Sequence, residues 1–472
     1  MTQVMPENRF LQGGFAPIDQ EYTLDQLSIR GEVPKDLNGS FYRNGPNQRF
    51  APLGDYHLFA GDGMTHAFHI SDGKVSYCNR WIHTAKYRLE DEQGKAVIDP
   101  MNPFNCAEGF VEFVLTDREG LANTASVWHA GKLLILEEAH LPFEVDPVTL
   151  ESIGSYNFDG KLPRSMTAHP KVDPISGELI LFSYMASDTL SSDLAVYRVS
   201  PQGELVESIL FNTPYPAMVH DFVVTENYIV VPIFPLCGSM ERAMAGESPL
   251  AWEPDRGATV AVLPRQGWTQ DNLRWAECEL FFAFHYMNGF DDNGVITVDA
   301  CQFEHAPLFP DVSGNVLPDA SPILHRWSLN MNGDSPAVKS NRIDQQDSEF
   351  PQVDPRYVAQ NYRFGFYTSP EGTGGDMYNV VARYDHQSGQ VERHCFGERQ
   401  STFTSEAIFV PKSNDAAEGE GYLLAVVTDM NDSTSALNIL DAQNVSAGPL
   451  AVAQLQHRVP VGFHGSWRPC EN

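Results

Sequence analysis

A hairpin unit recurs along this chain: a short apolar strand, a turn built on glycine, and a second strand. It stands at Asp72-Gly73-Lys74-Val75, Ala130-Gly131-Lys132-Leu133, Ser176-Gly177-Glu178-Leu179, Gln202-Gly203-Glu204-Leu205 and Ser388-Gly389-Gln390-Val391. Tight hairpin turns need a positive φ, which glycine adopts without steric cost. Runs such as Leu179 to Phe182, Tyr228 to Phe234 and Tyr422 to Val427 have the length and β-prone composition of strands. Long amphipathic helical patterns are scarce. The chain therefore reads as all-β. An antiparallel fold of this size must protect its sheet edges, and a propeller does so by radial repetition within one domain. The repeats diverge too far for the blades to be counted. Irregular stretches near 85–120, 235–258, 304–324 and 335–360 read as loop and short-helix insertions capping one face, and no linker or low-complexity tract divides residues 1–472.

Charge and composition exclude several classes. The formal net charge of −31 opposes binding to nucleic acid, which needs clustered Lys and Arg. It also opposes docking on anionic lipid. With 42% hydrophobic and 11% aromatic residues, the chain can bury a large core. The seven cysteines are scattered and never form a CxxC pair, which argues against a disulfide framework or a thiolate zinc site and fits a reducing cytoplasm. Met1 to Pro17 lacks a basic segment followed by an apolar one, and no run of 18 apolar residues exists, so neither a signal peptide nor a membrane span is expected.

Four of the fifteen histidines occupy unusual settings: Ala168-His169-Pro170-Lys171, Val219-His220-Asp221-Phe222, Phe284-His285 and Phe463-His464-Gly465. Each borders an apolar or small-residue run. They are too far apart in sequence for a helical HExxH site, but one ligand from each of several blades at a propeller axis would produce such spacing. Taken singly, a histidine of this kind is more often a satisfied core residue. Three glutamates beside apolar stretches, Glu138, Glu349 and Glu406, add weight, because a metal-ligating histidine usually donates its other N–H to a carboxylate.

With these residues in hand, the chain resembles the carotenoid cleavage oxygenase family along nearly its whole length. The resemblance is carried, in the family's order, by Phe41-Tyr42-Arg43-Asn44-Gly45-Pro46-Asn47, Phe59-Ala60-Gly61-Asp62-Gly63-Met64, Ala122-Asn123-Thr124, His169-Pro170-Lys171, His220-Asp221-Phe222, Glu349-Phe350-Pro351, Ser405-Glu406-Ala407, Gly419-Glu420-Gly421 and Gly462-Phe463-His464-Gly465. It implies a seven-bladed β-propeller with Fe(2+) on the axis, held by His169, His220, His285 and His464. It further implies that His220 donates a hydrogen bond to Glu138, His285 to Glu349 and His464 to Glu406, with His169 lacking a glutamate. Thr124 matches the family's threonine beside the open iron position, and Gly61-Asp62-Gly63 becomes a structural turn.

The implied reaction inserts O2 across an alkene C=C and yields two carbonyl products, with no nicotinamide or flavin. The partner is then a small apolar olefin in a dry tunnel, with Phe59, Phe281 and Phe284 as candidate walls. Stilbene-cleaving members of the family carry a lysine before the first of the three glutamates, paired with an upstream tyrosine. Here Glu137 stands at the lysine position and Asp99-Pro100-Met101-Asn102-Pro103 lacks the tyrosine. That favours an apocarotenoid, with an aryl olefin such as a stilbene, isoeugenol or vinylguaiacol as the alternative. Phe104, Phe110, Phe113, Val114 and Leu115 form a small apolar patch through which peripheral membrane contact stays open. A propeller serving only as a binding module has no reason to keep four histidines and three glutamates at these positions. A calcium-dependent hydrolase would use oxygen ligands instead.

Overall fold

Strands Leu179–Tyr184, Lys132–Leu136 and Gly421–Asp429 are apolar at successive positions rather than alternating, because both of their faces are covered. Leu179 and Leu181 pack on one side while Ile180 and Phe182 pack on the other. Likewise Leu133 and Ile135 face one neighbouring sheet, and Leu134 and Leu136 the other. A sheet covered on both faces must stand between two others.

The computed structural model describes residues 4–102, 104–375 and 377–470, and its sheets are arranged as a seven-bladed β-propeller. Blade 1 contains Gly39–Pro46, Gly63–Ser71 and Lys74–Trp81, with Thr23–Leu24 at its outer edge and Gly465–Pro469 beside Gly39–Pro46. Blades 2 to 6 are four-stranded antiparallel sheets opening at Ala125–His129, Lys171–Val172, Val223–Val224, Phe282–Asp292 and Glu349–Val353. Blade 7 holds Thr402–Thr404, Ile408–Pro411, Gly421–Asp429, Thr434–Asp441 and Pro449–Gln454, and Ser28–Gly31 closes its outer edge. The ring is thus fastened twice: an early strand completes the last blade, and the final described strand completes the first. Each interface between adjacent blades has its own buried apolar cluster. Fully burying a large aliphatic or aromatic side chain contributes about 1.5–3 kcal/mol, so these clusters are what hold blade to blade.

Three of the four expected insertions lie outside the blades. They hold helix α1 (Ala85–Gln93), helix α2 (Val111–Thr116), helix α3 (Met240–Met244) and the small hairpin Leu236–Gly238/Leu250–Trp252. The stretch 335–360 is a correction. It contains Val338–Asp347, the outer strand of blade 5, and Glu349–Val353, which opens blade 6. Its polar run Lys339-Ser340-Asn341-Arg342 resembles a loop because an outermost strand is largely solvated. Gly61-Asp62-Gly63 is a structural turn: Asp62 accepts from Lys86 Nζ at 2.8 Å and from the Arg49 N–H at 3.0 Å. A Cβ on Gly63 would lie 2.1 Å from the Ala122 carbonyl oxygen, so only glycine lets this turn approach the strand that follows Thr124.

Candidate metal centre

Each of the seven blades contributes one residue to the centre, within or just before its opening strand or, for Glu406, between Thr402–Thr404 and Ile408–Pro411. In chain order around the ring these are Thr124, His169, His220, His285, Glu349 and Glu406, and finally His464 ahead of Gly465–Pro469. Two of them sit at irregularities in the pairing of their strands. The register slips between Ala283 and Tyr286, around His285, and between Glu349 and Gln352. A bulge of this kind re-aims a side chain that strict alternation would turn aside. Phe350 follows with φ +49, a left-handed conformation uncommon for an aromatic residue. Its ring stacks on His285 with centroids 5.5 Å apart.

The four histidines converge, with one ligand atom from each lying within 4.8 Å of all the others. Nε2 of His169 and of His220 are 3.0 Å apart, and Nε2 of His220 and of His285 are 3.2 Å apart. Nδ1 of His220 donates to Glu138 Oε2 at 2.7 Å, Nδ1 of His285 to Glu349 Oε2 at 2.5 Å, and Nδ1 of His464 to Glu406 Oε1 at 3.1 Å. His169 has no glutamate partner among the described residues. With their protons committed to Nδ1, His220 and His285 turn bare Nε2 lone pairs toward each other. Such a pair repels unless a cation lies between. Two nitrogens about 2.1 Å from an ion at right angles would be about 3.0 Å apart. The donor set therefore fits a divalent metal that accepts imidazole.

Burial, reinforced by the neighbouring imidazoles, holds His169 and His285 well below the usual imidazole pKa, which keeps both rings neutral and available as ligands. The glutamates differ in how they are held. Glu138 Oε1 accepts from the Tyr184 hydroxyl at 3.1 Å. Glu406 accepts from Gln352 Nε2 at 2.7 Å and from the Gly465 N–H at 2.8 Å. Burial would raise Glu406, but His464 and these donors outweigh it and its pKa is lowered. Glu349 Oε2 accepts from the Phe350 N–H, while Oε1 has no hydrogen-bond partner and burial pushes the group up to about 7.

A cavity of about 1210 Å³ opens over this cluster and runs under the capping segments. Phe59, Phe284, Thr124 and Glu137 line it. Thr124 Oγ1 donates to Asn123 Oδ1 at 3.0 Å. Phe281 is a correction: its ring is packed 5.4 Å from Phe234 and 5.0 Å from Trp327 in the core between blades 4 and 5, outside the cavity wall. Glu137 is paired with His140, whose Nδ1 lies 3.0 and 2.9 Å from its two oxygens. Burial would raise Glu137 and lower His140. Their mutual charge and hydrogen bond reverse both, so Glu137 is lowered and His140 raised. Pro103, at the end of the stretch lacking a tyrosine, lies outside the described residues; Met101 of that stretch is in the cavity wall. Sequence reasoning missed Tyr184, Gln352 and His140 as site residues. Of these, only His140 carried a signal, its position three residues after Glu137 at the end of a strand.

The family described as retinal pigment epithelial membrane protein matches residues 15–469. Isoeugenol monooxygenase from Pseudomonas putida is 34% identical over 473 residues, which span 97% of both chains. The crystal structure of Pseudomonas brassicacearum lignostilbene dioxygenase aligns with a TM-score of 0.94 at 32% identity, covering 99% of this chain and 100% of that one. A variant of Synechocystis apocarotenoid oxygenase aligns with a TM-score of 0.86 at 27% identity, covering 97% and 98%.

Proposed function

The chain belongs to the carotenoid oxygenase family, the oxygenases that cleave alkenes, and on that premise we propose that it is a non-haem iron oxygenase whose Fe(2+) is held by His169, His220, His285 and His464. The observation that carries this reading is the facing of the Nε2 atoms of His220 and His285 at 3.2 Å, each with its Nδ1 proton held by a glutamate. Imidazole donors also suit zinc and copper, so iron is favoured on the family's chemistry. Glu138, Glu349 and Glu406 fix the tautomer and orientation of three rings and offset part of the ion's charge. Residues 1–472 act in this reading as a single propeller domain.

When bound, the ion supplies a redox-active centre at which O2 and the olefin can react. The cleaved C=C provides the electrons, and each of its carbons ends as a carbonyl. The chain's own work is placement. Phe59, Phe284, Phe350 and Phe463 give the cavity an apolar wall that excludes water and holds a flat conjugated substrate. Thr124 lies on the same wall, and its carbonyl accepts from the His464 N–H at 3.2 Å.

For the substrate, an aryl olefin is favoured by the charged groups on the cavity wall, Glu137 and His140 together with Arg118 and Arg164, which suit a compact molecule with a polar end. The TM-score of 0.94 to the lignostilbene enzyme supports the same class. An apocarotenoid is the second reading, favoured by Glu137 standing where stilbene-cleaving members carry a lysine and by the lack of a tyrosine in Asp99-Pro100-Met101-Asn102-Pro103.

No described helix is long and apolar enough to cross a membrane. Phe104, Val111, Leu115 and Met244 are exposed on the capping segments and support peripheral contact with a lipid surface as a route for an apolar substrate. Cys78, Cys106, Cys237, Cys278, Cys301 and Cys395 are free thiols, which supports a cytoplasmic setting.

Metal analysis of the purified protein, joined to a mass-spectrometric screen of stilbenes, isoeugenol and apocarotenals under air, tests the reading. The expected result is about one iron per chain and O2-dependent formation of two carbonyl fragments. Iron far below that level, with no turnover after reloading, overturns it.

A further inference from the structure

We propose that Arg118 and Arg164 form an anion clamp at one mouth of the cavity, so that the enzyme takes olefins carrying a carboxylate at one end. The proposal rests on the olefin-cleaving reading above and adds the charge of the end group that the cavity receives.

Both arginines line the cavity, and backbone hydrogen bonds stitch their segments into one rim. The Arg118 carbonyl accepts from the Leu141 N–H at 2.9 Å, and the carbonyl of the adjacent His140 accepts from the N–H of Met166, two residues after Arg164, at 3.0 Å. Neither guanidinium is fully used. Arg118 Nη1 donates to the Asp117 carbonyl at 2.9 Å, and the group has no carboxylate partner among the described residues. Arg164 Nη2 donates to Thr189 Oγ1 at 3.2 Å, and Nη1 lies 3.5 Å from Asp188 Oδ1. That carboxylate is 85% exposed, so water screens it and it neutralises Arg164 poorly. The two cations bear on each other: burial, reinforced by Arg118, lowers the pKa of Arg164. An anion set between the pair relieves both.

The other acids of the rim are already engaged. Asp117 accepts from the N–H groups of Glu119 at 2.9 Å and Gly120 at 3.2 Å, Glu119 faces Arg88 at 3.2 Å, and Glu137 is held by His140 at 2.9 Å. In a chain of net charge −31, two half-used guanidinium groups facing one cavity mouth are a local reversal of sign. The planar fork of arginine matches a carboxylate with two parallel N–H···O bonds, which a neutral ester cannot reproduce at the same strength. An ammonium is repelled by both groups. The position suits an anion as well. The Arg164 side chain is 27% accessible, so a carboxylate held there keeps part of its hydration and escapes the desolvation cost of a buried ion. Inward of the arginines the wall turns apolar at Phe113, Val114, Met185 and Leu190. A conjugated acid matches that order of surfaces, with its charge at the rim and its body running toward the histidines. The field of the pair also draws anionic substrate to the mouth of an otherwise acidic protein.

The test uses the iron-loaded full chain and two matched pairs of olefins: stilbene-4-carboxylate with its methyl ester, and an apocarotenoic acid with its methyl ester. The expected result is a kcat/KM preference of about 10-fold or more for the acid in at least one pair, the size of one hydrogen bond to a charged group. The preference should lie in KM rather than kcat, and it should weaken as salt rises from about 20 to about 300 mM, because the clamp sits at a half-exposed rim. In Arg118→Gln and Arg164→Gln the ratio of acid to ester falls toward unity. Arg164→Lys, which keeps the charge and loses the fork, retains part of it. Equal or better use of the ester in both pairs overturns the proposal while leaving the oxygenase reading intact. So does a preference that neither glutamine variant changes, as when a variant lowers acid and ester alike. Anaerobic binding titrations with the same pairs read the preference without turnover. If no olefin is cleaved, the oxygenase reading fails, and the ratio of Kd values still decides the clamp.

Discussion

The Tyr184 hydroxyl donates to Glu138 Oε1 at 3.1 Å while the other oxygen of Glu138 accepts from His220. Tyr184 thereby sets the carboxylate that sets the imidazole. Tyr184→Phe keeps the ring and removes only this donor. Weakening a partner of a metal ligand costs 10–100-fold in affinity when the partner itself is lost, so one step further out the loss is expected at about 10-fold or less. Competition with a calibrated chelator measures it, and an unchanged affinity would show that Glu138 needs no such support.

His220 Nε2 lies 3.0 Å from that of His169 and 3.2 Å from that of His285, and its Nδ1 donates to Glu138. His220→Ala is expected to bring iron per chain close to zero, with olefin cleavage lost in proportion. Elemental analysis alongside an O2-uptake assay reads both. Retained turnover would remove His220 from the ligand set.

Glu137 and His140 make stability depend on pH in a definite direction. The lowered Glu137 contributes stability above the usual carboxylate range and loses it as pH falls through its depressed value. The raised His140 contributes below the usual imidazole range and loses it as pH rises through its elevated value. Asp117 reinforces the charge on His140, and Arg118 opposes it. The pair should therefore be at full strength between roughly pH 4.3 and 6.5. Thermal unfolding of wild type and Glu137→Gln across pH should differ most in that window and converge on either side.

Lys86 is buried between Asp62 and Glu90, with Nζ 2.8 Å from an oxygen of each. Glu90 also accepts from the N–H groups of Val97 and Ile98, so the cluster ties α1 to the cap and to the Asp62 turn. Lys86→Met leaves two buried carboxylates without their shared cation. A loss of about 3–5 kcal/mol is expected, read from urea denaturation at neutral pH. A loss below about 1 kcal/mol would mean that water enters and solvates the acids.

The parts of the centre that were legible from sequence are those that a local pattern marks. His169, His220, His285 and His464 each border an apolar run, and Glu138, Glu349 and Glu406 gain meaning only as a matched set with them. Blade number was hidden because inner strands such as Leu179–Tyr184 are buried on both faces, so Leu179 to Phe182 shows no alternation from which a face could be assigned. The stretch from Val338 was misread because an outermost strand is polar like a loop. Tyr184 and Gln352 reach their glutamates across blade boundaries, a relation that no spacing along the chain encodes. Phe281 failed as a wall residue for a similar reason: its neighbours Phe234 and Trp327 come from different blades and claim its ring for the core.

The double fastening of the ring has a consequence for how the protein is made. His464 immediately precedes Gly465–Pro469, the segment that pairs with Gly39–Pro46. During synthesis the first three histidines can be in place while the fourth is still on the ribosome, together with the segment that seals the first blade. Closing the circle and completing the donor set are then one event. A nascent chain halted before residue 464 would be an open arc with a three-nitrogen site, prone to capture whichever soft divalent ion is most abundant.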